Sequence, residues 1–161
     1  MSLLLRTRRR RSLRPDRALR TLSGVAKLGR VERRVEIDSM SGDMHLSDAP
    51  GALRLRTQSG DVRLALRLDA VPALDFQSAS GDLTLRGRCE KGCSLRARTA
   101  SGDLRLTLRR DSGFGLGYQS ATGDLNDRLG LNPGNGRRTY GSGAGEIQVH
   151  SASGSLTLEA D

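Results

Sequence analysis

Aromatic residues are scarce in this chain of 161 residues. It has no Trp, and its aromatic residues are Phe76, Phe114, Tyr118 and Tyr140. A conventional globular core of this size carries more large apolar side chains. Proteins that bind single-stranded nucleic acid by base stacking need aromatic platforms. The scarcity therefore argues against both a conventional core and base stacking.

Long apolar runs are missing as well. No run is long enough to cross a membrane, and Leu3-Leu4-Leu5 is too short for the apolar region of a secretory signal. We therefore expect a protein that is cytoplasmic or peripheral to a membrane.

Histidine and cysteine occur only twice each, at His45, His150, Cys89 and Cys93. The two cysteines are four residues apart, and no second pair or nearby His completes a zinc site. We expect two free thiols, with a short-loop disulfide as the alternative and a metal site as the least favoured. Both histidines fall at outward positions without a nucleophile or a cleft. The sequence thus predicts no enzyme, no cofactor and no small-molecule substrate.

Glycine, in contrast, is abundant and regularly spaced. Ser-Gly-Asp occurs four times, Thr-Gly-Asp follows once and Ser-Gly-Ser closes the series, with glycines 18, 21, 21, 21 and 31 residues apart. Internal repetition of this kind indicates a repeat protein. The repeated turn residues are Gly42, Asp43, Gly60, Asp61, Gly81, Asp82, Gly102, Asp103, Gly123, Asp124 and Gly154.

The residues around each turn alternate between apolar and polar. Around Gly60, for example, Leu53, Leu55 and Thr57 precede the turn, and Val62 and Leu64 follow it. Period-two alternation is typical of strands with one buried face. The pattern predicts an all-β fold, a single-chain β-solenoid (β-helix) of about six to seven stacked coils with Ser-Gly-Asp corners. It does not determine the handedness.

The same spacing sets the expected boundaries. Ser23-Gly24 marks a degenerate first coil, so we expect the repeat domain over residues 17–161 and a disordered basic arm over residues 1–16. About ten extra residues in Leu129–Gly143, rich in Gly and Asn, are expected to form an inserted loop. The coils are expected to stack in chain order, with the C-terminal coil at one end.

The repeat unit resembles that of a known bacterial family. Thr57-Gln58-Ser59-Gly60-Asp61-Val62-Arg63-Leu64 is similar to the [ST]-x-[ST]-G-[DS]-hydrophobic-x-hydrophobic unit of DUF4097-type β-strand repeat proteins, often labelled "putative adhesin". Gly141–Leu158 looks like the usual ending of that family, and the resemblance covers about residues 17–161. It implies a β-solenoid of envelope-associated proteins, and it brings neither a catalytic residue nor an established ligand.

The column of turn aspartates is the most conspicuous candidate site. Stacked carboxylates repel unless they are hydrogen-bonded or neutralised, for example by Ca²⁺. Calcium-binding repeats, however, have a shorter period and several glycines in each turn. We therefore expect Gly to supply a positive φ, and Ser and Asp to satisfy backbone N–H groups of the turn.

The net charge of +9 is concentrated at one end. Residues 1–34 carry twelve basic and two acidic residues, a net charge of +10, whereas the remaining chain is at −1. The basic run could contact an anionic membrane surface or, as a less favoured partner, nucleic acid. It could also be an unstructured tail. The candidate contacts are Arg6, Arg8, Arg9, Arg10, Arg11 and Arg14.

A second set of basic residues points outward from the predicted strands. Nearby acids favour a mixed solvated face over a binding stripe for an acidic polymer. The set comprises Arg54, Arg56, Arg63, Arg96, Arg98 and Arg105.

The leading hypothesis is a non-enzymatic structural or interaction module, a bacterial β-solenoid scaffold at the cell envelope or membrane surface. One alternative is a self-assembling cytoskeletal scaffold similar to bactofilins, because a regular solenoid exposes a strand edge at each end. The other is a binder of acidic polymer, either nucleic acid or anionic lipid, that uses the Arg-rich N-terminus.

Overall fold

Among the described residues, the regular secondary structure consists of β-strands. The computed structural model describes residues 2–5, 16–23, 25–28, 34–47, 51–67, 73–89, 92–133 and 137–161. No helix in these ranges is long and apolar enough to span a membrane. In chain order the strands are β1 (Ser2–Leu5), β2 (Asp16–Ser23), β3 (Val25–Leu28), β4 (Arg34–Ser41), β5 (Met44–Ser47), β6 (Leu53–Thr57), β7 (Val62–Arg67), β8 (Leu74–Ser78), β9 (Leu83–Arg88), β10 (Ser94–Ser101), β11 (Leu104–Leu108), β12 (Phe114–Thr122), β13 (Leu125–Asp127), β14 (Asn132–Pro133), β15 (Arg138–Tyr140), β16 (Gly145–Ser153) and β17 (Leu156–Ala160).

These strands form two sheets. Sheet A has the spatial order β1-β3-β5-β7-β9-β11-β17-β13, and sheet B has the order β14-β15-β12-β16-β10-β8-β6-β4-β2. The pairings of β15 with β12 and with β14 are antiparallel. The other strand pairs are parallel, as expected when each repeat lies on its neighbour in the same orientation. The predicted all-β architecture is confirmed.

One repeat consists of a sheet B strand, a turn with its glycine, and a sheet A strand, and we call this unit a coil. The pairing aligns equivalent residues of neighbouring coils, such as Leu55 with Phe76 and Leu64 with Leu85. Inward residues of both sheets are buried, as in the alternating pattern of β6. Burying one Leu or Val side chain stabilises a fold by about 1.5–3 kcal/mol, so the stack is held mainly by this shared core.

The order of the coils departs from the order of the sequence. The last coil, β16 and β17, lies between the coil of β10 and β11 and the coil of β12 and β13. Ile147 of β16 pairs with Leu95 on one side and with Leu116 on the other. We call β16 and β17 the inserted coil. The expectation that the C-terminal coil forms an end of the stack is therefore wrong. The residues between β13 and β16 carry the chain back past the coil of β12 and β13, so that β16 and β17 lie on the inner side of that coil.

The predicted loop over residues 129–143 contains regular structure. β15 extends sheet B beyond β12, and β14 pairs with β15. The rings of Phe114 and Tyr140 are 5.7 Å apart between centroids, and the Tyr140 hydroxyl donates to the Arg110 carbonyl at 3.3 Å. Residues 138–140 thus pair with the first three residues of β12, and the prediction of a loop is wrong for the two strands β14 and β15.

Asp127 stands four residues after its turn glycine, at a position where the other coils carry an inward Leu. It is aligned with Leu158, but its carboxylate accepts hydrogen bonds from the backbone N–H groups of Leu129, Gly130 and Leu131 at 2.7–3.0 Å. These donors would otherwise lack partners where the chain leaves sheet A. Asp127 therefore fixes the start of the insertion.

Four residues of the N-terminal arm form a strand. Ser2–Leu5 forms β1 and pairs with Val25–Leu28, so the expectation of a disordered arm is wrong for these four residues. The reason is that β3 offers an open edge, and an extended segment that joins it satisfies its backbone groups. The degenerate first coil pairs with the next coil as expected, since Leu19 of β2 is aligned with Ile37 of β4. Gly24 lies outside the described residues.

Cys89 and Cys93 form a disulfide, so the expectation of two free thiols is wrong. The chain turns between β9 and β10 and brings the two Cα atoms to 5.7 Å, within the range that a disulfide requires. Both cysteines are buried.

Candidate functional site

The turn glycines occupy positions that other residues fit poorly. The φ angles of Gly42, Gly60, Gly81, Gly102 and Gly154 are 118–129°, in a region that L-residues rarely adopt. A Cβ on Gly81 would also meet the carbonyl oxygen of Gly60. Gly123 differs, because its φ lies outside the positive region, although a Cβ there would meet the carbonyl of Gly154. The requirement for Gly thus comes from close backbone stacking as well as from φ.

The turn aspartates form a ladder of hydrogen bonds between coils. The Asp43 carboxylate accepts from the backbone N–H of Asp61 at 3.2 Å, and Asp61 accepts from Asp82 at 3.3 Å. The Asp82 carboxylate in turn accepts from the backbone N–H of Asp103 at 2.8 Å. Each carboxylate therefore holds the next coil rather than its own turn, which differs from the sequence-based expectation.

The inserted coil continues this ladder with serine. The backbone N–H of Ser155 donates to the Asp103 carboxylate at 2.8 Å, and the Ser155 hydroxyl accepts from the N–H of Asp124 at 3.4 Å. Ser155 occupies the position of Asp in the other coils. The coil of Asp124 is thus bound to the stack through the inserted coil.

The hydroxyl groups of the turn act as donors. The residue three before the glycine donates to the carbonyl two residues later, as Thr57 does to Ser59 at 2.9 Å and Thr99 does to Ser101 at 2.8 Å. The residue directly before the glycine donates to the preceding coil, as Ser80 does to Gln58 at 3.2 Å. We expected the turn side chains to satisfy backbone N–H groups. The turn hydroxyl groups instead donate to backbone carbonyl groups.

The turn aspartates hold neighbouring coils and are not grouped with further metal-ligating residues within the described ranges. One oxygen of Asp43, Asp61, Asp82 and Asp103 is engaged by a backbone N–H of the next coil. Within the described ranges, no group of three or more His, Cys, Asp or Glu residues is placed to hold a metal ion. The hydrogen bonds of the turn aspartates connect neighbouring coils.

Replacing Asp82 by alanine is expected to lower the free energy of unfolding by about 1 kcal/mol, because the N–H of Asp103 loses its protein acceptor. Asp82→Asn keeps an acceptor oxygen at this position and should cost less than half as much. Urea unfolding followed by circular dichroism measures both variants. Equal destabilisation by Ala and Asn would contradict the role of the carboxylate as an acceptor.

The outward arginines do not form one stripe. Arg63 and Arg105 lie on sheet A, whereas the other four lie on sheet B. On sheet B, Arg54 pairs with Asp75 at 3.6 Å, and Arg56 pairs with Glu36 at 3.5 Å. Exposed pairs of this kind contribute at most about 1 kcal/mol each. The outer face of sheet B therefore carries charges of both signs.

A groove of about 840 Å³ lies on the outer face of sheet B, beside the turns. Met40 borders it with 49% of its surface exposed, and the exposed Ala79 and Ala100 continue the same row. The short alanine side chains leave room between longer polar neighbours. We call this feature the sheet B groove; it is lined by Asp38, Ser39, Met40, Arg56, Thr57, Gln58, Gln77, Ser78, Ala79 and Ala100.

The repeat itself carries a signal for this groove that the sequence-based reasoning missed. The residue two before each turn glycine faces outward and is small or apolar in most coils. This row contains Met40, Gln58, Ala79, Ala100, Ala121 and Ala152. These residues come together in one row when the coils stack, and that makes the row a candidate contact surface.

The remaining sequence-based candidates lie apart. His45 is on sheet A and His150 is on sheet B, so they do not share a site. Residues 6–15, with Arg6, Arg8, Arg9, Arg10, Arg11 and Arg14, lie outside the described residues.

Comparison with known proteins identifies the family. No curated protein matches the chain significantly. A crystal structure of a "putative cell adhesion protein" from Clostridium sporogenes ATCC 15579 has a similar fold, with a TM-score of 0.56 and 14% identity over 74% of this chain. The chain spans 56% of the length of that structure. Residues 16–95, which include the turns of Gly42, Gly60 and Gly81, match the family described as Toastrack DUF4097. The repeat of residues 16–95 is thus that of the Toastrack DUF4097 family.

Proposed function

We propose that the protein is a non-enzymatic interaction module, a β-solenoid of six to seven coils that binds a partner of the cell envelope through the sheet B groove. The observation that carries this proposal is the groove itself. It combines exposed apolar surface at Met40, Ala79 and Ala100 with polar groups at Arg56 and Gln77. An apolar floor with a polar rim is the usual composition of a binding surface.

The repeated turn residues have a structural role in this proposal. Their glycines allow close stacking, and their aspartates hold the next coil. The turns therefore keep the outer faces regular and rigid, which lowers the entropic cost of binding.

The disulfide and the related fold support a place at the envelope. A buried disulfide is typical of proteins in oxidising compartments and rare in the cytosol. The structure of similar fold from Clostridium sporogenes is named as a cell adhesion protein, which agrees with an interaction role. An oxidising location is thus favoured over a cytoplasmic one.

Filament formation through stacked ends receives less support. At one end of sheet B, the antiparallel strand β15 pairs with Phe114–Leu116 of β12 and carries β14 on its other side. Another coil could not continue the parallel register there. Binding of acidic polymer through Arg6–Arg14 remains a prediction, because these residues lie outside the described ranges.

The proposal is tested by binding of the purified chain to envelope preparations of the organism that encodes it. Ala79→Arg places a long charged side chain in the groove, and Ala65→Arg places the same side chain at an exposed position on sheet A. We expect Ala79→Arg to weaken binding about tenfold or more and Ala65→Arg to change it less than twofold.

Two outcomes would count against the proposal. Equal binding by the two arginine variants would remove the groove from the interaction. Recovery of the native protein only in the cytosolic fraction, with no binding to envelope material, would remove the proposed location. Sedimentation velocity of the same samples checks the oligomeric state, and a single species across concentration is expected.

A further inference from the structure

We propose that the Cys89–Cys93 disulfide is an oxidation-dependent latch that holds the inserted coil in place. The proposal goes beyond the interaction role and does not rest on it. It assigns to the thiol pair a conformational effect on a distant part of the sequence, the C-terminal residues 145–160.

The inserted coil begins directly on the disulfide turn. The N–H of Glu146 donates to the Cys93 carbonyl at 2.8 Å, and the N–H of Gly145 donates to the Gly113 carbonyl at 2.9 Å. Gly113 in turn donates its N–H to the Cys89 carbonyl at 2.7 Å. The first two residues of β16 are therefore bound to both cysteines, directly or through one intermediate residue.

Space around the two sulfur atoms is limited by the inserted coil. Gly145 is buried, and a Cβ added there would collide with the Sγ atoms of both Cys89 and Cys93. The Cys89 Sγ is also 3.8 Å from the Gly113 carbonyl oxygen. A methyl group would thus be too large for the gap between β16 and the disulfide.

Reduction removes the covalent link between the two cysteines whose carbonyl groups hold the start of β16, Glu146 directly and Gly145 through Gly113. In the reaction, a thiolate of a dithiol reductant attacks one sulfur, a mixed disulfide forms, and the second thiolate releases it. Two electrons and two protons reach Cys89 and Cys93, and the reductant becomes a disulfide. The two cysteines are then free to separate, and the carbonyl groups that accept from Glu146 and Gly113 no longer hold the start of β16 in place.

The coupling works in both directions. If the disulfide favours docking of the inserted coil, docking must favour the disulfide by the same factor. A chain in a reducing compartment would keep the inserted coil loosely bound, and oxidation would complete the stack. Loss of the latch would free the facing edges of β10 and β12, which pair with β16 in the closed state.

Amide hydrogen exchange of the native chain, oxidised and reduced, tests the latch. We expect the N–H groups of Gly145 and Glu146 to exchange at least about tenfold faster after reduction. The N–H groups of Met44 and Val62, which donate to Asp61 and Asp82, are remote controls and should change less than about twofold. Unchanged exchange at Gly145 and Glu146 would overturn the proposal. An equal acceleration at all four positions would also overturn it, because it would show a general loss of stability.

The reciprocal effect is measured by thiol–disulfide equilibrium with dithiothreitol. Gly145→Ala crowds the disulfide from the side of the inserted coil, and Gly117→Ala is a matched control, since its Cβ would come no closer than 4.0 Å to the Gln148 side chain. We expect Gly145→Ala to shift the equilibrium about tenfold towards the thiols, which corresponds to about 30 mV for this two-electron couple. An equilibrium equal to that of the native chain would contradict the latch. The exchange experiment uses the native chain only, so it decides the proposal even if Gly145→Ala does not fold.

Discussion

Replacing Gly81 by alanine is expected to lower the free energy of unfolding by about 2–6 kcal/mol, a large part of the total stability of a domain of this size. Two effects add. The φ of 119° costs an L-residue about 1–3 kcal/mol. The new Cβ would also meet the carbonyl oxygen of Gly60, and relieving this overlap by backbone shifts costs about 1–3 kcal/mol more.

Gly117→Ala is the control for this prediction. It makes the same chemical change in a strand of sheet B, at a φ outside the positive region and with 4.0 Å to the nearest side-chain atom. It should raise the free energy of unfolding by less than about 1 kcal/mol, because alanine restricts the unfolded chain. Guanidinium unfolding measures both variants. A loss below 1 kcal/mol for Gly81→Ala would contradict close stacking of the turns.

Replacing Phe76 by alanine is expected to cost about 3–5 kcal/mol, because the side chain is fully buried in the shared core. Phe76 pairs with Ala97 in the next coil, and Ala97 is also fully buried. The large ring thus fills space beside the small residue. Without it, two adjacent coils would have alanine at the same inward position, and the cavity could not be filled from the neighbouring coil.

The exchange of the two residues tests this complementarity. The double variant Phe76→Ala with Ala97→Phe keeps the total side-chain volume and moves it by one coil, next to Val149. Volume-conserving changes in cores are tolerated better than deletions, so we expect the double variant to recover more than half of the lost stability. Thermal unfolding of the single and double variants measures the recovery. If the double variant is no more stable than Phe76→Ala, the proposed packing between these coils is wrong.

Much of the fold could be predicted from the sequence because the repeat encodes it locally. Period-two alternation around each glycine gives strands with one buried face, and the constant spacing aligns residues such as Leu55 and Phe76. The degenerate first coil followed from the same spacing, although Gly24 is followed by Val25 rather than Asp. Leu19 lies opposite Ile37, so Ser23-Gly24 and the spacing around it were a sufficient guide there without the aspartate.

The order of coils could not be predicted, because all coils share the same inward pattern. Ile147 fits equally well against Leu95 and Leu116, so the pattern does not distinguish an inserted coil from a terminal one. A clue was present at Asp127, which interrupts the leucine series where the chain leaves the stack. The disulfide was only the alternative to free thiols, because the spacing of the two cysteines does not show how the turn between β9 and β10 brings them together.

The sheet B groove was not predicted, because the charged residues and the turn aspartates are more conspicuous in the sequence than the outward row two residues before each turn glycine. Met40 and the alanines of that row are weak signals one at a time. They become a surface only when the coils are stacked and the small side chains of Ala79 and Ala100 leave a groove. The exposed arginines, which were more conspicuous in the sequence, partly pair with acids on the same face.

The central structural claim is that the C-terminal coil lies inside the stack, and disulfide trapping tests it most directly. Ala100, Ala152 and Ala121 occupy equivalent exposed positions of three coils. Cysteines on neighbouring strands are about 4.8 Å apart and can form a disulfide, whereas cysteines two strands apart, at about 9.6 Å, cannot. We expect Ala100→Cys with Ala152→Cys, and Ala152→Cys with Ala121→Cys, to cross-link within one chain under mild oxidation. Ala100→Cys with Ala121→Cys should stay open. Efficient closure of that third pair, with none in the first two, would show that the coils stack in chain order and would contradict the inserted coil.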